Sequence, residues 1–439
     1  MGLARGRTAF KVIGAAVDWM AVAGNTTLER TGTLAELLET GGIRAVYQPI
    51  VDLDTGENVA YEALARGPEG SELEMPGRLF PEAARAGLMT ALDRASRRAA
   101  IEGALAAGLG QSTSLFVNVE PSSLDESGPL LEGEDEIRRS RLGVVVELTE
   151  RELTARPAAV LRAVAWLRAR GCGIALDDIG ADRRSLALLP FVAPDVMKLD
   201  MALIQQRRVS RSTAHVINAV AAEAERAGAV VLAEGIETEE HLQRARAFGA
   251  TLGQGWYFGR PGALPTSGGS SAGVSIRRTD HRTPPGTPFS ALAAGTNTRS
   301  GSKRELLALS RQLEAEAEAL SAESVVLATF QEASFFTPAT RDRYEYLAQG
   351  SALVGALGVG MDPSPAPGVR GGRLEVDDPL RGEWDVVVIS PHFAGAFVAR
   401  DLGSQGPDLD RQFEFSMSYD RDRVLQVARI LLGRIVPTP

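Results

Sequence analysis

The sequence contains few cysteines, histidines and aromatic residues. Its 439 residues include one cysteine and four histidines, and only 5% are aromatic. A single cysteine, Cys172, excludes an intrachain disulfide framework and is typical of proteins from a reducing cytoplasm, so we expect a cytoplasmic protein. Because Cys172 directly precedes an apolar run, we expect a buried structural thiol.

Long apolar runs and an excess of positive charge are also missing. No uninterrupted apolar run reaches about 18 residues, so no membrane-spanning helix is expected. The net charge of −9 argues against a general affinity for DNA or for anionic membrane surfaces. If the substrate is an anion, local cations or metal ions must overcome this negative field.

Composition divides the chain into four parts. Residues 1–32 form a leader with a basic start and an apolar middle that Asp18 interrupts, which favours a short amphipathic or disordered segment over a secretory signal. Residues 263–302 are rich in Gly, Ser, Thr and Pro and predict a flexible linker between a domain at 33–262 and a second, smaller domain at 303–439.

Residues 33–262 alternate short β-rich runs with helical patterns. The helical segments "PAAVLRAVAWLRARG" and "TAHVINAVAAEAERAG" both end at glycine, which is a common helix terminator. About eight strands with intervening helices predict a (β/α)₈ barrel. The runs that predict strands are "AVYQPIVDL", "VAYEALAR", "SLFVNVEP", "GVVVELTE", "GIALDDIG", "DVMKLD", "AVVLAEGIE" and "TLGQGWYF".

Polar residues recur where these runs end. Since the carboxyl ends of barrel strands open onto one face, residues far apart in sequence are expected to converge there. Five carboxylates and an amide, without histidine or cysteine, favour Mg²⁺ or Mn²⁺ over zinc. Two such ions would neutralise most of the charge, and a metal pair is suited to phosphoester hydrolysis. The five carboxylates are Glu62, Glu147, Asp177, Asp178 and Glu234, and the amide is Asn118. Glu150, Lys198 and Gln254 are the other polar residues at the ends of these runs.

The order of these motifs resembles that of the EAL domain family of cyclic di-GMP phosphodiesterases. The namesake motif is Glu62-Ala63-Leu64, and "YQPIVDL", "NVEP", "ELTE", "DDIG", "KLD", "AEGIET" and "QGWYF" stand in the family's order. The resemblance covers about half of the chain. It implies a TIM-like (β/α)₈ barrel in which one strand runs antiparallel to the others.

The resemblance also implies individual roles. Glu62, Asn118, Glu147 and Asp177 would hold one metal ion, and Asp177, Asp178 and Glu234 would hold a second. Lys198 would orient the attacking water. Glu62 and Glu234, besides binding metal ions, would also be catalytic residues. Glu150 would brace the loop after Asp178. The expected substrate-binding residues are Gln48, Arg66 and Gln254.

The loop after the paired aspartates departs from the family pattern. The family typically continues with Phe-Gly-Thr-Gly, whereas this chain has "IGADRRS" at 179–185. In the family this loop helps to seat the second metal ion and mediates dimer contacts. Replacing a glycine with Asp182 matters if the position requires a positive φ. Arg183 and Arg184 could pair with Asp182 or Glu150, or face solvent.

The second domain resembles the DICT domain, a presumed sensory module. The stretches that carry this resemblance are "TFQEASFFTPATRDRYEYLA", "DPLRGEWDVVVISPHFAGAFVARDLG" and "DRQFEFSMSYDRDRV". An α/β or α+β fold is expected, with an unknown ligand or partner. His392 could mark a ligand pocket, although a structural role is also open.

Two functional hypotheses follow from the sequence. The first is a cyclic di-GMP phosphodiesterase that produces linear 5′-pGpG by two-metal-ion catalysis, works as a homodimer and is regulated by its C-terminal sensory domain. The alternative is a catalytically weak EAL domain that acts as a cyclic di-GMP receptor because the altered loop fails to seat the second metal ion.

Overall fold

The structure, a computed structural model, describes two domains. The predicted leader at 1–32 and half of the predicted linker, 266–285, lie outside the described residues, which are 33–110, 113–120, 123, 142–265, 286–320 and 323–436.

The first domain is a closed barrel of eight strands. Strand β1 pairs antiparallel with both of its neighbours, and the other pairs are parallel, which confirms the expected barrel with one reversed strand. The strands are β1 (Arg44–Asp52), β2 (Asn58–Arg66), β3 (Ser114–Asn118), β4 (Gly143–Thr149), β5 (Gly173–Ile179), β6 (Val196–Leu199), β7 (Val230–Ala233) and β8 (Leu252–Gln254).

Helices surround the barrel, and their ends are marked by capping residues. Ser210 accepts a hydrogen bond from the backbone of Thr213 at the start of the helix Arg211–Ala227, and Gly228 ends that helix with φ of 66°. The helices are α1 (Leu34–Glu39), α2 (Pro76–Ala86), α3 (Met89–Ala106), α4 (Glu150–Ala155), α5 (Pro157–Ala169), α6 (Leu189–Val192), α7 (Met201–Gln205), α8 (Arg211–Ala227) and α9 (Glu239–Ala247), with a 3-10 helix at Arg183–Ala187.

The interior of the barrel is filled by apolar side chains. Ile50, Phe116, Val145, Ala175 and Leu232 form one buried cluster with no exposed surface. A filled interior confines polar chemistry to the ends of the barrel.

The C-terminal domain is built on a seven-stranded mixed sheet with the order β12-β11-β10-β13-β14-β15-β9. Strands β10 to β12 are parallel and the other pairs are antiparallel. The smaller domain therefore has an α+β fold, one of the two fold classes expected from the sequence. The strands are β9 (Arg299–Ser302), β10 (Val325–Glu332), β11 (Leu353–Val359), β12 (Val369–Leu374), β13 (Glu383–Ile389), β14 (Ala394–Asp401) and β15 (Gln412–Ser418). The helices are α10 (Pro288–Ala293), α11 (Lys303–Leu320), α12 (Pro338–Gly350) and α13 (Arg421–Leu432).

The folded part of this domain begins before residue 303. Helix α10 and strand β9 both lie within the stretch 263–302 whose composition predicts a linker. Thr287 forms a capping box with Ser290, and Pro288 occupies the start of α10. Phe289 and Leu292 are buried, so two apolar side chains attach this polar stretch to the domain core.

The two domains share one apolar core. A single cluster of buried side chains includes Leu189 and Val192 of α6 in the barrel and Val424, Ala428 and Leu431 of α13 in the C-terminal domain. The seam between the domains is therefore packed like a protein interior. Within the described part of the chain, no helix combines the length and apolar character needed to cross a bilayer.

Candidate functional site

The predicted polar residues converge at one end of the barrel. The carboxyl ends of β2 to β8 open there, and β1 contributes from the middle of its length because it runs in the opposite direction. Gln48 of β1 lies opposite Glu62 of β2, and Asn118 of β3 lies opposite Glu147 of β4. Strand register thus brings residues from distant parts of the sequence into adjacent positions.

Lys198 lies at the centre of this group. Its Nζ atom is 2.7 Å from a carboxylate oxygen of Glu147, 2.7 Å from one of Glu234 and 2.9 Å from one of Asp177. Glu62 is slightly further away, at 3.6 Å. The lysine side chain has 0% exposure, so the barrel encloses a charge that only these carboxylates, among the described residues, compensate.

Amide side chains fix the orientation of Glu62. Nδ2 of Asn118 donates to Oε1 of Glu62 at 3.1 Å, and Nε2 of Gln254 donates to Oε2 at 2.7 Å. Gln254 Nε2 also lies 3.3 Å from Oε1 of Gln48, whose own amide donates to the carbonyl of Gly259. These contacts place Gln48, Asn118 and Gln254 next to the carboxylate cluster, which consists of Glu62, Glu147, Asp177, Asp178 and Glu234.

The paired aspartates adopt an irregular backbone. Asp178 has φ of 59°, in the left-handed region, and the pairing of β5 with β6 shifts register between Leu176 and Ile179. In a regular strand, adjacent side chains point to opposite faces. The bulge removes this restriction, so that oxygens of Asp177, Asp178 and Glu234 all lie within 4.8 Å of one another.

Crowding shifts the acidities of these groups. Burial, reinforced by the charge of Glu62, holds the pKa of Glu147 well above its usual value. Burial also raises the pKa of Glu234 to about 8, and burial with the charge of Asp177 raises the pKa of Asp178 to about 6. Glu62 differs, since Lys198 and the bond from Gln254 overcome the effect of burial and lower its pKa. Three of the carboxylates therefore need more positive charge nearby to ionise fully.

The donor set fits divalent cations. Five carboxylates against one lysine leave four formal negative charges, which is the charge of two divalent ions. Oε2 of Glu147 is buried and accepts no hydrogen bond within the described residues, so a ligand oxygen is available. Oxygen donors without histidine or cysteine suit Mg²⁺ or Mn²⁺.

Arg66 is the predicted residue that stands apart. It ends β2 on the same face as Glu62, two side-chain levels higher, opposite Arg44 of β1. Its guanidinium donates to the carbonyl of Ala65 at 2.8 Å. Arg66 thus lies towards the rim, and among the described residues no ion pair joins it to the carboxylate cluster.

Glu150 holds the loop that follows the aspartates. Its carboxylate accepts hydrogen bonds from the backbone N–H groups of Gly180, at 2.9 Å, and of Asp182. Asp182 has φ of −128°, so the position where the family has glycine does not require a positive φ here. The Asp182 side chain also accepts from the N–H of Arg184 at 3.0 Å and starts the 3-10 helix. Several hydrogen bonds therefore hold the altered loop in place.

The two arginines of this loop have different surroundings. Arg184 is exposed, whereas Nε of Arg183 donates to Glu323 of the C-terminal domain at 2.9 Å. The sequence offered Asp182, Glu150 or solvent as the environment of Arg183. The structure pairs Arg183 with Glu323 instead of either carboxylate and leaves its side chain 48% exposed. Glu323 was missed because it lies 140 residues away and belongs to no recognisable motif.

Two cavities flank the carboxylate cluster. One, of about 310 Å³, is lined by Gln48, Glu62, Asp178, Glu234 and Gln254, and also by Trp256, which is 53% exposed. The second, of about 350 Å³, adjoins Asn118 and Glu147 and has apolar walls that include Leu64, Phe80 and Met89. Trp256 belongs to the motif "QGWYF", and its aromatic side chain two residues after Gln254 is the sequence signal for its place at this cavity.

Comparison with known families matches both domains. The model of the EAL domain family matches residues 31–261. The model described as a sensory domain in diguanylate cyclases and two-component systems matches residues 290–402.

Curated relatives carry related names. Cyclic di-GMP phosphodiesterase RocR of Pseudomonas aeruginosa is 32% identical over 242 residues, which are 51% of this chain and 58% of RocR. Probable cyclic di-GMP phosphodiesterase PdeG of Escherichia coli is 28% identical and is covered to 46%. The chain thus spans about half the length of these relatives. Among solved structures, the Klebsiella pneumoniae BlrP1 complex with manganese and cyclic di-GMP is 29% identical, with a TM-score of 0.44, and the match covers 50% of this chain and 56% of that one.

Proposed function

Because the chain belongs to the EAL domain family, we propose that it is a cyclic di-GMP phosphodiesterase that hydrolyses this bacterial second messenger to linear 5′-pGpG. The observation that carries the proposal is the buried Lys198 surrounded by four carboxylates at the barrel mouth. The names of the curated relatives support the same substrate.

Residues at the mouth supply the binding groups for two divalent cations, Mg²⁺ or Mn²⁺. Glu62, Asn118, Glu147 and Asp177 would hold one ion, and Asp177, Asp178 and Glu234 the other. Bound ions at such a site polarise a water molecule and the phosphate oxygens. In the reaction, water oxygen bonds to phosphorus, the P–O3′ bond breaks and the O3′ atom leaves with a proton.

The protein's own residues would position the reactants. Carboxylates on several sides fix Lys198, whose ammonium group would orient the attacking water by donating a hydrogen bond to it. Gln48 and Gln254 lie in the mouth cavity and would donate to the substrate, while Arg66 at the rim would pair with the phosphate that is not cleaved. Glu150 would keep the loop after Asp178 in place.

The two flanking cavities suit a ligand with two purine bases. Trp256 offers an exposed aromatic face at one cavity, and the apolar walls of the second would exclude water from the other base. We further propose that the protein is a cytoplasmic homodimer, has no affinity for DNA or membranes, and is regulated by a ligand or partner of its C-terminal domain.

One assay tests the proposal. The purified protein is incubated with cyclic di-GMP and either Mn²⁺ or Mg²⁺, and pGpG is followed by chromatography. Glu62→Gln should reduce turnover at least about 100-fold. Glu57→Gln is the matched control because Glu57 is exposed in the turn between β1 and β2, at the opposite end of the barrel, and its turnover should stay unchanged.

The outcomes separate the two hypotheses. Tight nucleotide binding without turnover would replace the enzyme with the receptor alternative. Absence of both binding and turnover would overturn both. The hydrogen bonds that hold the altered loop to Glu150 favour the enzyme over the receptor.

A further inference from the structure

The C-terminal domain packs against the side of the barrel that carries the loop after Asp178. Arg429 of α13 is 5% exposed and donates to the carbonyl oxygens of Pro190, at 2.8 Å, and Phe191, at 3.2 Å, in α6. Arg370 of β12 donates to the carbonyl of Ala155 at 3.2 Å and to that of Thr154. Guanidinium groups that donate hydrogen bonds to backbone carbonyl oxygens of the other domain indicate a specific interface.

Glu323 is an acidic residue of this seam that contacts the loop after Asp178. It stands just before β10, is 7% exposed, and accepts from Arg183 while its second oxygen contacts Nε2 of His215 in α8. His392 of the C-terminal domain packs edge-on against His215, with 6.4 Å between ring centroids. A carboxylate of one domain is thus buried between two side chains of the other, a geometry that depends on both partners.

A short series of hydrogen bonds connects Glu323 to the carboxylate cluster. Arg183 follows Asp182, whose N–H donates to Glu150, and Glu150 also receives the N–H of Gly180. The N–H of Ala181 donates to the carbonyl of Asp178 at 3.2 Å. Four residues therefore lie between Asp178 and Arg183, and the backbone N–H groups of three of them, Gly180, Ala181 and Asp182, donate hydrogen bonds. Asp178 itself adopts φ of 59°, which a flexible loop would not maintain.

We propose that Arg183 and Glu323 are positioning residues for Asp178, through which the C-terminal domain holds this carboxylate in the group formed with Asp177 and Glu234. The inference deepens the proposed function, on which it rests for the identity of the reaction but not for cation binding. The arginine that departs from the family pattern then has a purpose: it attaches the loop to a domain of the same chain. Loss of the pair would leave Glu62, Asn118 and Glu147 in place and weaken the cation position that needs Asp178.

The test is a Mn²⁺ titration of the full-length, nucleotide-free protein, followed by electron paramagnetic resonance. The variants are Arg183→Gln, Glu323→Gln and the combination of both. Each single variant should weaken the weaker of two Mn²⁺ sites about tenfold and leave the tighter site unchanged. The double variant should be no worse than either single one, since both remove the same interaction.

Asp422→Asn provides the matched control. Asp422 forms another ion pair across the seam, at 3.3 Å with Arg226, but this pair does not touch the loop. Its Mn²⁺ binding should equal that of the unaltered protein. Folding is not expected to fail, because Arg183 is 48% exposed and glutamine is neutral and similar in size to Glu323. Circular dichroism checks this, and Arg183→Lys, which keeps the charge without the fork, should restore part of the affinity.

Outcomes for the inference and for the proposed function can be told apart. Unchanged Mn²⁺ affinities in folded Arg183→Gln and Glu323→Gln, or equal losses in Asp422→Asn, would overturn the inference even if the protein hydrolyses cyclic di-GMP. Loss of the weaker site in the two variants supports the inference even if the unaltered protein shows no hydrolysis. Where hydrolysis is present, kcat at fixed Mn²⁺ should fall about tenfold with little change in KM.

Discussion

Lys198 and Glu147 form an ion pair of 2.7 Å in which both side chains are completely buried. Removal of the lysine charge would leave a group of mutually repelling carboxylates inside the barrel. We expect Lys198→Met to lower the free energy of unfolding by about 3–5 kcal/mol in EDTA, and saturating Mn²⁺ to restore part of the loss. Urea unfolding with and without Mn²⁺ measures both effects.

Lys303→Met is the control for that experiment. Lys303 pairs with the half-exposed Asp408 on the surface of the C-terminal domain, so its loss should cost less than about 1 kcal/mol, independent of Mn²⁺. Equal effects of the two lysine variants would contradict the central role of Lys198.

Restoring the family sequence at 181–182 should not increase activity. Asp182 has φ of −128°, which any residue can adopt, and its N–H already donates to Glu150. Ala181→Thr with Asp182→Gly removes the cap of the 3-10 helix and adds backbone freedom, so we expect a loss of about 0.5–1 kcal/mol in stability. Hydrolysis of cyclic di-GMP should be unchanged or reduced; an increase of severalfold would mean that this loop limits catalysis.

Glu150 should make stability depend on pH. Burial raises its pKa to about 7 from 4.5, so the folded state binds its proton more tightly than the unfolded chain. The stability from this group is therefore present below about pH 4.5 and is lost as pH rises through about 7. We expect the free energy of unfolding to fall by about 1–3 kcal/mol between pH 5 and pH 8 on this account.

Glu150→Gln should make that dependence less steep, and the remaining slope comes from Asp178 and Glu234, whose pKa values burial raises to about 6 and about 8. Urea unfolding in EDTA at several pH values gives the slope, and Glu57→Gln, an exposed carboxylate at the other barrel end, should keep the slope of the unaltered protein. If Glu150→Gln keeps that slope too, Glu150 is not the titrating group.

Gly255 should not tolerate a side chain. A Cβ atom there would lie 2.0 Å from the carbonyl oxygen of Ile236 and 2.4 Å from its nitrogen, so the strand β8 that carries Gln254 would have to move. We expect Gly255→Ala to cost more than about 3 kcal/mol. Gly249 also has a positive φ, 84°, but open space around it, so Gly249→Ala should cost about 1 kcal/mol. Thermal unfolding of the pair separates steric overlap from backbone strain.

The barrel and most of its polar residues could be predicted because strand ends carry local signals. Each predicted run overlaps one of the eight strands, and strand register brings Glu62, Asn118 and Gln254 together. By contrast, the left-handed conformation of Asp178 depends on the packing of the surrounding loop, and no sequence pattern encodes it.

Long-range contacts were the other unpredictable part. The partner of Arg183 lies in a different domain, and helix α10 forms within a composition typical of linkers because Phe289 and Leu292 find a core to enter. Both results depend on tertiary packing, which overrides local composition.

The apolar core shared by α6 and α13 means that this barrel is not a separable module. Expression of residues 33–262 alone would uncover Leu189 and Val192 and leave the carbonyls of Pro190 and Phe191 without the guanidinium of Arg429. Such a truncated barrel would aggregate more readily than the whole chain. Heating the intact protein would produce one cooperative melting transition, although its two domains match two different families.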